Sequence, residues 1–191
     1  MLVTVGDGVA VALSSLAWFT ASLVIGWVAV RWPPEALEPG PLTRVRRWER
    51  SGAWWQRHLR VRRWKDLVPE AGGLFTGGRS KRHIGSRATA DLEAFDRETI
   101  RAERVHWLIL ATTPLHAVWC RPPLFAAMAV FGVLFNAPCI VIQRFNRGRL
   151  GRVLAHRALP ARRAGPVVRR GGGRSLEGPA HLLQHREHGL G

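Results

Sequence analysis

ETIRAERVHWLILATTPLHAVWC, residues 98–120, carries two Glu and two Arg in its first half and then turns almost wholly apolar. Neither Gly nor Pro interrupts it before Pro114, so the spacing predicts one helix running from water into a less polar medium. His106 stands on the seam. On such a helix Glu103 and His106 are i and i+3 neighbours, about 5–6 Å apart at Cβ. How this stretch is read, as the entry into a membrane or as a buried core helix, decides the fold.

The flanks favour the membrane. Val9 to Val30 is apolar apart from Ser and Thr and matches the roughly 20 residues that cross a hydrocarbon core. A cleaved signal peptide is the rival reading of 9–30. No Lys or Arg side chain precedes the segment, and it is longer than a signal h-region, which favours an uncleaved anchor. Leu124 to Gln143 is a second run of membrane length, containing Asn136 and Pro138. Between them Leu108 to Cys120 is short and interrupted by Pro114, and Arg121-Pro122-Pro123 makes a turn. Residues 105–143 therefore read as a helical hairpin that crosses twice or dips in as a re-entrant pair. Mean hydropathy of −0.04 hides this, because the apolar residues are bunched. Of nine Trp, Trp27, Trp32, Trp48, Trp107 and Trp119 lie near segment ends, as in an interfacial belt.

The charge is one-sided. The net charge is +16, and residues 31–104 hold 17 Lys/Arg against 10 Asp/Glu. From Arg144 onward there are 11 Arg and two Glu. Residues 1–8 have no basic side chain, and the 120–123 turn has only Arg121. The positive-inside rule then places 1–8 outside the cell membrane and both basic segments in the cytoplasm, with three crossings between them. Within 31–104, Trp48, Trp54, Trp55 and Leu59 are spaced along one side of a helix with Arg on the other, the pattern of an amphipathic helix lying in the membrane surface. Thr89 is a candidate N-cap for the next helix. The Gly/Arg/His-rich tail, 144–191, has little apolar content and is expected to be mostly disordered. The fold class expected is an all-α integral membrane protein with about three transmembrane or re-entrant helices.

Few chemical signatures stand out. There is no G-x-S-x-G elbow and no P-loop. His83 has Ala88, not Asp, five residues on. Cys120 and Cys139 read as free, small hydrophobic residues, with no metal spacing. The lone E-x-x-H lacks the second motif and further Glu residues of a di-metal site, so no metal is expected. That leaves His106 as a candidate general base with Glu103 orienting it, at the interface where a lipid-linked hydroxyl and a soluble donor can meet. The same residues also fit a salt-bridged helix end with a snorkelling His. Arg62, Arg63 and Lys65, with Lys81 and Arg82, form two basic knots suited to the phosphates of an acyl-CoA donor or of lipid headgroups. A non-catalytic module recruiting anionic lipid or protein partners is the alternative. No specific nucleic-acid role is expected, although Arg with interleaved Trp suits single strands, because the apolar spans give a membrane address.

VRRWKDLVPEAGGLF, SKRH, ETIRAERVHW and NAPCIVIQRFNRGRL, in this order, resemble the glycosyl-4,4'-diaponeurosporenoate acyltransferases over about residues 45–150. The resemblance implies a small membrane protein that transfers a fatty acyl group to a sugar hydroxyl of a glycosylated carotenoid or a similar glycolipid, with acyl-CoA or a similar donor as co-substrate and no cofactor. The matching positions are Glu98, Arg101, Glu103, His106 and Trp107, then Gln143, Arg144, Asn146, Arg147 and Arg149. Among these, Arg101, Gln143, Arg144 and Asn146 join the substrate-binding candidates. Phe145 stands where the family tends to have Tyr.

Overall fold

The computed structural model describes residues 3–68 and 89–163, with side chains to residue 157. Among these residues the fold is all-helical. Helix α1 is Asp7–Ala29, α2 is the short Ala53–Leu59, α3 is Thr89–Ala111 and α4 is Pro122–Arg163. Short 3-10 turns join them.

α1 and the first half of α4 are long and apolar enough to cross a membrane. Neither is mostly buried against the rest of the described chain. In α1 only 11% of the most apolar window is buried, and in α4 only 22%. Leu16, Phe19 and Trp27 of α1, and Leu134 and Phe135 of α4, are more than half exposed. Continuous apolar surface of this kind needs an apolar partner.

The chain between these two helices fills the space beside them. α3 continues to Ala111, and Thr113–Val118 then forms a 3-10 helix. Pro114 sits at its start, where a missing N–H costs little. Its far end meets the start of α1. Val3 N–H donates to the Val118 carbonyl at 3.0 Å, and Arg121 Nε to Asp7 at 2.9 Å. Farther in, Trp119 Nε1 donates to Ser14 Oγ at 2.9 Å, and Trp18 packs on His116 and Phe131. At the opposite end Arg104 of α3 donates to the carbonyls of Ala36 and Glu38, just past α1. Residues 104–121 thus span the same depth as α1, partly as α-helix and partly as the more extended 3-10 form. The short apolar run 108–120 is accordingly not one continuous helix.

Two other expectations need correction. The tail does not lose structure at Arg144, because α4 continues unbroken to Arg163. Apolar side chains still recur at helical spacing beyond the membrane-length run, and Ile142, Phe145 and Leu150 are buried. Ile142 and Phe145 meet Trp55 and Val61, with Trp64 and Val68 beside them, in the core of the basic segment. The second correction concerns the amphipathic helix, which is broken. Arg47–Gly52 is a 3-10 turn, and Ser51 and Gly52 are both left-handed, with φ of 77° and 69°. A Cβ on Gly52 would lie 2.9 Å from Arg149 Cγ and 3.0 Å from Phe145, so only glycine fits this turn against α4. The break keeps Trp48, Trp54 and Trp55 clustered, with ring centroids 4.5–5.4 Å apart, and leaves Trp48 half exposed. The helical pattern expected from Thr89 is present as α3.

Candidate functional site

α3 and α4 run antiparallel, and a polar stripe lines their seam. On α3 it consists of Asp96, Thr99, Glu103 and His106, each three or four residues from the next and so on one face. On α4 it consists of Asn136, Gln143, Arg144 and Arg147. Thr99, Glu103, Asn136, Gln143 and Arg147 are buried. Buried polar groups require partners, and most of these partners lie across the seam.

The centre of the stripe is a four-charge cluster. Glu103 is fully buried and pairs with Arg144 at 2.7 Å and with Arg147. Arg144 also forms a bidentate pair with Glu49, itself fully buried, with both contacts at 2.6 Å. The two remaining Arg144 bonds reach the carbonyls of Leu42 at 2.7 Å and Arg44 at 3.2 Å. A guanidinium has five N–H groups, and all five of Arg144 are engaged with protein. Two carboxylates against two guanidiniums leave the cluster without net charge, the condition under which buried ions are tolerated. Local sequence prepares one side of it. Glu49 caps its own turn by accepting from the Arg46 N–H at 2.6 Å. Gly148 of α4 has no side chain, which lets that turn lie directly on the helix.

His106 lies one turn further along α3, half-buried. Its Nδ1 hydrogen-bonds Asn136 Oδ1 at 2.8 Å, and Asn136 Nδ2 donates to the Gly132 carbonyl at 2.9 Å. Glu103 instead accepts from Arg144, Arg147 and, at 3.3 Å, from Trp107 Nε1. A hydrogen bond from an amide on α4 therefore orients the imidazole. The expectation that Glu103 orients His106 is corrected to this extent.

The other candidates are spread more widely. Arg101 pairs with Glu98 on its own helix, and its Nε is buried without a partner. Gln143 is buried with its Oε1 unpartnered, and Asn146, three residues on, is half-buried. Arg144 belongs to the clasp just described and has no N–H left for a ligand. Arg62 and Arg63 are exposed, and Lys65 pairs with Asp66 at 2.5 Å. They flank the Trp55–Val61–Phe145 core, and the structure does not bring them to His106. Lys81 and Arg82 lie outside the described residues. Among the described residues no three His, Cys, Asp or Glu side chains converge as metal ligands.

Sequence reasoning missed Glu49, whose partners on α4 are 95 residues away. Its one local signal is a single acid among Arg46, Arg47 and Arg50. On the α3 side, burial holds the Asp96 carboxyl above the usual carboxylate range, although Arg147 and Arg97 pull it the other way.

Comparison with known proteins gives the family. The family model described as glycosyl-4,4'-diaponeurosporenoate acyltransferase matches residues 40–156. That range includes Glu49, Glu103, His106, Asn136, Arg144 and Arg147. A protein of that name from Staphylococcus haemolyticus (strain JCSC1435) is 28% identical over 141 residues, covering 72% of this chain and 81% of the relative. One from Staphylococcus aureus (strain USA300) is 31% identical over 107 residues, covering 56% of this chain and 64% of the relative. Another, from Staphylococcus aureus (strain bovine RF122 / ET3-1), is 27% identical over 142 residues, covering 73% and 85%. No solved structure matches the chain. A family match over more than half the chain, falling on the residues that build the α3–α4 seam, leads to one assignment: the chain belongs to the glycosyl-4,4'-diaponeurosporenoate acyltransferase family.

Proposed function

We propose that this chain is a membrane-bound O-acyltransferase that esterifies a sugar hydroxyl of a glycosylated carotenoid, or of a similar glycolipid, from an acyl thioester. Family membership supports the reaction class. The position of His106 carries the mechanism, since it sits where a charged helix surface gives way to an apolar one. α1, residues 105–121 and the first half of α4 cross the bilayer side by side. α1 has 23 residues, about 34 Å at 1.5 Å per residue, enough for a hydrocarbon core about 30 Å thick. The charge asymmetry puts residues 1–8 outside and the basic segments in the cytoplasm.

In this reading the carotenoid part of the acceptor lies along the exposed apolar faces, and its sugar reaches the interface. His106 Nε2 removes the proton from a sugar hydroxyl. The oxygen attacks the thioester carbonyl carbon, and a tetrahedral intermediate forms. As it collapses the C–S bond breaks, the ester forms, and the thiolate takes up the proton held by the imidazolium. No metal or cofactor is consumed. Arg62, Arg63 and Lys65, with Lys81 and Arg82, hold the phosphates of an acyl-CoA donor, a role suited to clustered cations. Gln143 and Asn146 offer hydrogen bonds to the acceptor sugar. Glu103 acts through the Arg144 and Arg147 pairs, setting the register of α3 on α4.

The test is acyl transfer in isolated membranes from labelled acyl-CoA to a glycosylated carotenoid, comparing wild type with His106→Gln at matched membrane levels. Ester from the wild type and a loss of about 100-fold or more in the variant is expected of a general base. Equal ester from both removes His106 from the chemistry. No ester from either, with a broader glycolipid panel also negative, favours a lipid-recruiting module.

A further inference from the structure

We propose that Asn136 is a positioning residue that fixes the tautomer of His106, so that Nε2 rather than Nδ1 faces the reaction. This rests on the reading of His106 as the base and adds to it a residue from the other helix. The argument is one of hydrogen-bond polarity. Asn136 is buried, 3% exposed. The Gly132 carbonyl can only accept, so the group 2.9 Å from it must be the Asn136 amide NH2. That places Oδ1, an acceptor, 2.8 Å from His106 Nδ1, and Nδ1 must then carry the proton. In the neutral ring the lone pair is on Nε2. The Gly132 carbonyl, the Asn136 amide and the imidazole form a directed chain rooted in the α4 backbone, and rotating the amide would break both its bonds.

The choice of an amide also has a chemical consequence. A carboxylate in the same place would stabilise the imidazolium and raise its pKa. Asn136 orients the ring without adding charge. Among the described residues, the charged groups on the neighbouring elements already have partners of their own. Glu103 is balanced by Arg144 and Arg147 of α4, and Arg104 points its guanidinium to the carbonyls past α1. Cys139 lies a turn along α4 from Asn136, and His116 is on the 3-10 segment. α1 contributes no ionisable side chain between Asp7 and Arg31.

The experiment uses the full-length protein in membranes and the variants His106→Gln, Asn136→Ala and Asn136→Asp. Two readouts are taken across pH: acyl transfer from acyl-CoA to a glycosylated carotenoid, and the rate at which diethyl pyrocarbonate modifies His106, located by mass spectrometry. The reagent attacks only unprotonated imidazole nitrogen, so its pH profile reports the His106 pKa without any substrate. Asn136→Asp is expected to move the midpoint of that profile, and the rising limb of kcat, to higher pH. Asn136→Ala is expected to lower kcat about 10- to 100-fold with little change in KM, as a mis-set base would. If the midpoint in Asn136→Asp coincides with wild type, the coupling is absent and the proposal is overturned, whatever the activity. If His106→Gln is inactive while Asn136→Ala keeps wild-type kcat, His106 remains the base and Asn136 has no positioning role. If His106→Gln turns over normally, the reading of the base fails, and this proposal with it.

Discussion

Glu49 and Arg144 meet through two contacts of 2.6 Å although 95 residues separate them, and the Glu49 carboxylate is wholly out of reach of solvent. This pair fastens the turn at 47–52 to α4, and through Glu103 it fastens α3 as well. Removing one partner strands a buried guanidinium. Glu49→Gln should therefore lower the stability of the detergent-solubilised protein by about 3–5 kcal/mol, read as a large drop in melting temperature. Replacing both partners with apolar residues, Glu49→Leu with Arg144→Met, should recover much of the loss. A melt of Glu49→Gln that overlays wild type would mean the pair holds nothing together.

Gly148 gives a sharper test of the same contact. A Cβ there would lie 2.4 Å from the Glu49 carbonyl oxygen and 3.2 Å from the Gly52 nitrogen, both backbone atoms that cannot rotate away. Gly151, one turn further along α4, faces open space. Gly148→Ala should destabilise by about 1–3 kcal/mol or more. Gly151→Ala should be neutral or stabilising by up to about 1 kcal/mol, the helix preference of Ala over Gly. The two melts compared side by side decide the point, and equal behaviour would show that the turn does not pack on α4 as described.

The contrast between what the sequence revealed and what it hid follows the range of the interactions. Val9–Val30 and Leu124–Gln143 were legible because membrane-length apolar runs need no knowledge of partners. The seam at His106 was legible for the same reason. Glu103 was misjudged because i,i+3 spacing names a neighbour on the same helix, whereas its charge is answered by Arg144 and Arg147 from another. Glu49 and Asn136 depend on where α4 lies, which local spacing does not contain. The extension of α4 to Arg163 was hidden by its Arg content, although Ile142, Phe145 and Leu150 already traced a buried face.

Asp96 gives the pH dependence. Burial raises its carboxyl pKa above 3.8, against the pull of Arg147 and Arg97. For a group raised on folding, its contribution is fully present below the unfolded pKa and is lost as pH rises through the folded one. At neutral pH the ionised carboxylate therefore weakens the fold. Asp96→Asn should melt higher than wild type at pH 7, and the difference should shrink as pH falls toward 4. A variant that melts lower at pH 7 would show that attraction to Arg147 outweighs burial.

The exposed face of α4 separates a membrane span from a helix that merely resembles one. Leu134 is 68% exposed, and Val153, about five turns further and past the apolar run, is 43% exposed. In water an exposed Leu→Arg change is harmless, so a soluble protein would accept both Leu134→Arg and Val153→Arg. In a bilayer an Arg near mid-span costs about 2.5–3.5 kcal/mol of insertion, whereas an Arg beyond the interface on the cytoplasmic side costs little and suits the local charge. Leu134→Arg should sharply reduce the fraction of protein that resists alkaline extraction from membranes, and Val153→Arg should leave it unchanged. If the two variants extract alike, Leu134 does not face lipid, and the crossing assigned to α4 is wrong.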